Sequence, residues 1–157
     1  MDNISDHITY EEAIRSRTAR EEGIDNTPSE SHLKNMRLIA ERIFEPTRKA
    51  LGGYRIRVTS FFRSIKLNLK LKKASKRSRH TTGQAMDLDA AYYGHSTNKE
   101  MFEFIRNNLE FDKLIWEYGT DEEPEWVHVS YVEGLNRGIV LRAKYDIKEK
   151  KTKYTLI

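Results

Sequence analysis

The chain has 157 residues, a length suited to one domain that buries its own core. It contains no cysteine, which excludes disulfides and thiol chemistry and leaves His, Asp and Glu as the metal-binding side chains. The formal charge of +4 is concentrated in two places: Lys66, Lys70, Lys72, Lys73, Lys76, Arg77 and Arg79, with no acid among them, and Lys144, Lys148, Lys150, Lys151 and Lys153 near the C-terminus.

The first residues, MDNISDHITYEE, are polar and acidic, and no segment approaches the roughly 18 apolar residues of a membrane span. The expectation is a protein made in the cytoplasm without a signal peptide. Thr9 and Glu12 have capping-box spacing, which predicts a short helix over about residues 10–21. Thr27-Pro28 reads as the start of a second helix, with Leu33, Met36, Ile39, Ala40, Ile43 and Phe44 on its buried face. Pro46 should kink or divide that helix, and Gly52-Gly53 should stop it. Tyr54, Ile56 and Val58 then alternate with polar residues, as in a half-buried strand. A basic stretch of loop and helix follows. A short strand begins after Gly83, in GQAMDLDA. Asn98 can cap a helix carrying Met101, Phe102, Ile105 and Leu109. DKLIWEY and EWVHVSY read as a strand hairpin joined by GTDEEP, and GIVLRAKY as a further strand. Residues 146–157 read as a charged, mobile tail. Helices first and strands later give an α+β protein, a single domain over residues 1–157 with its core at about 8–145.

Five histidines are present. His7, His32 and His95 stand in polar or loop contexts without convergent partners, whereas metal ligands come in sets. His80 precedes the turn Thr-Thr-Gly, and Asp87 lies on the strand that leaves it. On that strand Ala85, Asp87 and Asp89 share one face; in WVHVSY, Trp126, His128 and Ser130 share one face, opposite the valines. If the two strands pair, Asp87 and His128 face one cleft. Two imidazoles and a carboxylate leave the fourth position of a tetrahedral zinc open, the catalytic pattern, and zinc acidifies water toward neutral pH. The competing reading is a scatter of polar residues on an open sheet face. A hydrolase also needs a base, for which Glu117 and Glu125 are the candidates, and a cation for the developing oxyanion, for which Arg63 is the candidate.

The motifs VTSFFRS with LN, SRHTTGQAMDLD, NKEMFEFIRNNLEFDKLIWEYG and PEWVHVSY occur in that order. Together they resemble the zinc D-Ala-D-Ala carboxypeptidase and endopeptidase family of peptidoglycan-cleaving enzymes, most closely its small phage and prophage members. The resemblance covers about residues 8–145 and implies a hedgehog/DD-peptidase-like fold, with N-terminal helices packed on a mainly antiparallel sheet. It implies one zinc ion held by His80, Asp87 and His128, with Arg63 as the substrate-polarising cation and Ser78 as a substrate-binding serine. It matches the base first to Glu125, three residues before the last ligand, and second to Glu117 on the preceding strand. The implied activity is hydrolysis of an amide bond in murein stem peptides, by a carboxypeptidase or an endolysin-type endopeptidase. The implied setting is the bacterial cell wall, reached through a holin or with a virion. An inactive relative acting as a zinc-stabilised wall- or partner-binding module is the alternative. Arg79 closes a basic run, LKLKKASKRSRH, where the family commonly has a glycine-rich link. That run suits anionic wall polymers. No aromatic residue interleaves it and no nucleic-acid motif accompanies it, which argues against nucleic acid as a partner. Asp89 is not needed as a ligand.

Overall fold

A computed structural model describes residues 1–71 and 74–157. Lys72 and Lys73, part of the predicted basic run, lie outside the described residues. The N-terminal segment forms α1 (Tyr10–Ile14), α2 (Arg17–Glu21), α3 (Glu30–Ile39) and α4 (Glu45–Ala50). Thr9 caps α1 as expected, its hydroxyl accepting from the Glu12 amide. The single helix predicted over 10–21 is in fact two. Arg15 and Ser16 are extended between them, and the Ser16 side chain accepts from the Ala19 amide to start α2.

The predicted start at Thr27-Pro28 is corrected to Ser29. The Ser29 hydroxyl accepts from the His32 amide while His32 Nδ1 accepts from the Ser29 amide, a reciprocal cap that satisfies two otherwise orphaned donors. Pro46 does divide the helix. It has no N–H to offer the preceding turn, and Ala40–Phe44 widen into a π-turn before α4 resumes with Pro46 in its first turn.

The sheet has six strands: β1 (Arg57–Ser60), β2 (Ala85–Asp89), β3 (Lys113–Glu117), β4 (Trp126–Ser130), β5 (Ile139–Asp146) and β6 (Lys151–Leu156), in the order β1-β2-β4-β3-β5-β6. All neighbours are antiparallel except β3 and β5. Tyr54 stays outside β1; its ring stacks on His95 at 4.2 Å. The predicted mobile tail is instead β6, paired with β5 from Leu141↔Leu156 to Asp146↔Lys151. Thr152, Tyr154 and Leu156 alternate with Lys151, Lys153 and Thr155, a strand pattern that its lysines disguise.

Two more helices complete the chain, α5 (Ile65–Lys70) and α6 (Asn98–Asn108). The cap of α6 is Thr97, boxed with Glu100, and not Asn98. Asn98 is buried and ties the end of β2 to the approach of β4. Its Oδ1 accepts from the Ala90 amide, and its Nδ2 donates to the Glu125 carbonyl. Met86, Leu88, Leu114, Trp116, Val127 and Val129 fill one face of the sheet and pack with α3 and α6 residues such as Met36, Ile39, Met101 and Phe102. At roughly 25 cal/mol per Å² of apolar surface, this layer is the main source of stability. Strand alternation then sends Asp87, His128, Ile115 and Glu117 to the opposite face, free of the helical layer.

Candidate active site

His80 sits on a 3-10 turn, Arg79–Thr82, between α5 and β2. Ser78 caps that turn, accepting from the His80 amide at 3.3 Å. Gly83 ends it with φ +73; a Cβ there would stand 2.7 Å from both the His32 carbonyl oxygen and Met36 Cγ of α3. The glycine is therefore required twice, by its left-handed backbone and by the close approach of α3. His80 is almost fully buried, with Nδ1 2.7 Å from the Phe61 carbonyl oxygen. If Nδ1–H donates there, Nε2 keeps its lone pair.

Asp87 and His128 are directly opposed across β2 and β4. His128 Nδ1 lies 2.9 Å from Asp87 Oδ1, and His80 Nε2 lies 3.3 Å from Asp87 Oδ2. That second approach lacks hydrogen-bond geometry, so His80 Nε2 is a buried nitrogen without a hydrogen-bond partner among the described residues. One ligand atom from each of His80, Asp87 and His128 lies within 4.8 Å of the others. An orphaned, buried imidazole nitrogen aimed at a carboxylate and a second imidazole is a donor set that fits one zinc ion. Burial pulls the His80 imidazole toward its neutral form, the form that ligates. Burial alone would raise the Asp87 carboxyl, but His80 and His128 outweigh it and hold it far below the ordinary carboxylate range.

The surrounding groups fix this trio. Val58 pairs with Leu88 and Ser60 with Asp87, so Thr59 forms a bulge, and its hydroxyl donates to the Asp87 carbonyl. Arg63 follows β1. Its Nη2 is 3.3 Å from Asp87 Oδ2, its Nε donates to Ser60 Oγ, and its Nη1 is 3.5 Å from Asn68 Oδ1. Asn68, of the LN motif, is buried and donates to the Ser75 carbonyl, which anchors the basic loop beside the cleft.

The two candidate bases differ sharply in setting. Glu125 is exposed at the rim. Glu117 is 7% exposed, on the site-bearing face of β3, two residues along from Ile115, which pairs with His128. Its carboxylate has no hydrogen bond or ion pair among the described residues. Burial, reinforced by the charge of Asp87 and opposed by His128 and Arg63, pushes the Glu117 carboxyl up to about 7. Asp89, by contrast, accepts from Asn98 Nδ2 and the Ala91 amide, a turn residue and not part of the trio. His7 pairs with Glu45, His32 caps α3 and His95 stacks on Tyr54, so none joins the site.

These residues line a cleft of about 990 Å³. One bank carries Arg63, Ser78 and Arg79; the other carries Leu141, Tyr145 and Tyr154 of β5 and β6. In the second bank, Leu141 and Tyr145 fall in GIVLRAKY, expected as a strand, whereas Tyr154 falls in the stretch expected as a tail, where strand alternation was its one signal. Among the described residues no helix is long and apolar enough to cross a membrane. No curated protein matches the chain. The sequence profile of the family described as Peptidase M15 matches residues 6–130, about four fifths of the chain, and covers every residue of the trio and both candidate bases. The chain belongs to the peptidase M15 family, zinc metallopeptidases that act on peptidoglycan peptides.

Proposed function

We propose that this protein hydrolyses an amide bond within murein stem peptides, with His80, Asp87 and His128 as the three zinc ligands and Glu117 as the general base. The observation that carries the reading is the buried Nε2 of His80, without a hydrogen-bond partner among the described residues, converging with Asp87 and His128 beside the buried Glu117 carboxylate. When bound, the zinc ion supplies Lewis acidity toward water and toward the scissile carbonyl. Glu117 takes a proton from the attacking water at its carboxylate and delivers it to the leaving amine. A carboxyl group raised to about 7 exchanges protons readily in both directions near neutral pH. Exposed Glu125 lacks that burial and takes a rim position in this reading. Arg63 orients the Asp87 carboxylate and offers positive charge to the developing oxyanion. Ser78 shapes the His80 turn and lines the cleft, where it meets substrate.

In this reading the enzyme serves wall lysis and is delivered through a holin or with a virion, in keeping with the resemblance to phage and prophage members. A second reading concerns the basic face. Arg15, Arg17, Arg20, Arg57 and Arg63 line a second cavity of about 360 Å³, which shares Arg63 with the cleft and has no acidic side chain in its lining. Together with exposed Lys66, Lys70, Lys76 and Arg77 it suits an anionic wall polymer, held in a salt-sensitive way.

Mass spectrometry of purified peptidoglycan digested by the zinc-loaded protein tests the main reading. New amino and carboxyl termini should appear in the stem peptides and vanish with His80→Ala. A zinc-loaded protein that binds murein yet releases no amines is a binding module instead.

A further inference from the structure

The family match ends at residue 130, but the sheet does not. Residues Ile139–Leu156 add two strands on the β3 side and give the cleft a bank the matched region lacks. Across the sheet the register runs Trp126, Glu117, Ala143, Tyr154, one residue from each of β4, β3, β5 and β6, all on the site face. Adjacent strands are about 4.8 Å apart, so Glu117 and Tyr154 are separated by roughly 10 Å of backbone. In the register the residue between them is Ala143, small and fully buried. A tyrosine side chain leaning over alanine spans most of that gap. The raised Tyr154 hydroxyl, pushed to about 12 by burial and by the nearby charge of Glu117, agrees with that placement.

The hairpin is also fastened to the catalytic strand. Tyr118, the residue after Glu117, has φ +54, a left-handed conformation that non-glycine residues adopt at a cost. Its hydroxyl lies 2.6 Å from Thr152 Oγ1 of β6, and its ring is 5.3 Å from that of Trp126. The residue in this left-handed turn thus reaches β6 through its side chain. The face so presented is apolar and open: Tyr154 is 53% exposed and Leu156 77%, next to half-buried Leu141. Exposed apolar area continuous with a catalytic cleft marks a binding surface. The opposite bank carries Arg63, Arg77 and Arg79. The two banks therefore differ in character, one cationic and the other apolar.

We propose that the β5–β6 hairpin is the subsite wall for the uncharged segment of the peptide and that Tyr154 is its specificity-determining residue, packing its ring on an alanine-sized side chain and hydrogen-bonding the peptide backbone through its hydroxyl. This rests on the peptidase reading above. The test uses zinc-loaded Glu117→Gln protein, which binds without turnover, and calorimetry with two probes: a synthetic stem pentapeptide ending in D-Ala-D-Ala, and the same peptide with D-Leu at the penultimate position. Adding Tyr154→Ala should weaken binding of the first probe about ten-fold and Tyr154→Phe about three-fold, the scale of one buried contact and one hydrogen bond. Tyr154→Ala should also shrink the preference for D-Ala over D-Leu, which a purely structural role would leave unchanged. Equal affinities in all variants, or an equal loss for both probes, overturns the proposal. Should Tyr154→Ala fail to fold, Tyr154→Phe and Tyr154→Leu carry the same comparison. If the parent protein cleaves murein but the Tyr154 variants bind like it, only the wall is wrong; if the parent neither cleaves murein nor binds either peptide, the peptidase reading falls and the wall with it.

Discussion

Glu117 and Asp87 are two carboxylates on neighbouring regions of one sheet face, and their surroundings drive them in opposite directions. Asp87 is compensated by two imidazoles and Arg63 and stays ionised. Glu117 is buried with no hydrogen bond or ion pair to its carboxylate among the described residues and rises to about 7. Replacement of Glu117 by Gln should lower kcat at least about 100-fold with zinc content unchanged, the scale of a lost general base, whereas Glu125→Gln should retain most turnover. Steady-state kinetics with metal analysis checks both. The shift also predicts a stability signature in the chelated protein. The folded state holds the Glu117 proton more tightly than the unfolded chain, whose value is 4.5. The corresponding stability is full below that value and is lost as pH rises through about 7. Glu117→Gln keeps its neutral side chain at every pH. It should match the parent at pH 4 and exceed it by about 3 kcal/mol at pH 9 in urea unfolding. An unchanged difference between the two pH values would remove the buried carboxylate from the account.

At the scale of elements, the His80 turn is held from three sides. It is capped by Ser78, anchored through Phe61 and pressed onto α3 at Gly83. Gly83→Ala should destabilise the protein by at least about 1–2 kcal/mol from the left-handed backbone alone. The contact with the His32 carbonyl leaves no room for relief, so the turn must shift. His80 should then leave the trio and zinc affinity should fall with stability; thermal unfolding with and without zinc measures the two losses together. The approach to β3 has a comparable fastening. Asp112 is fully buried and is held by Arg137 through paired bonds of 2.7 and 2.9 Å. That bond fixes the segment that leads from β4 into β5, and hence the hairpin bank of the cleft.

For the molecule as a whole, metal and fold are linked. The trio joins the turn after α5 to β2 and β4, so an ion bound there connects elements that are far apart in the chain. Saturating zinc at about 100 times its dissociation constant should add about 2.7 kcal/mol, or roughly 5–10 °C in Tm for a chain of this size. A chelator should remove that increment, and the His80→Ala protein should show none. Since the ligating imidazoles must be neutral, the increment should also fade as pH drops below about 6. Calorimetric scans at two pH values check the sign.

Much of this arrangement is written locally. Period-two alternation in AMDLD, KLIWE and WVHVS sets which side chains share a face, and His-Thr-Thr-Gly is a turn in any reading. Alternation and the helix-then-strand order point to the α+β fold, and the family resemblance of the ordered motifs adds the trio and Arg63 as the candidate site. Three-dimensional pairing supplies what local pattern lacks. Glu117 and Glu125 look alike in sequence, because burial is a property of what packs around a residue; only the register across β4, β3 and β5 hides one and exposes the other. The lysine-rich end of the chain looks like a tail, because its stability as β6 comes from backbone bonds to β5 and the Tyr118–Thr152 contact, partners outside the segment itself. Composition and spacing chose the chemistry, which depends on residue type. Long-range packing chose which carboxylate is desolvated and which surfaces line the cleft, because those depend on neighbours distant in the chain.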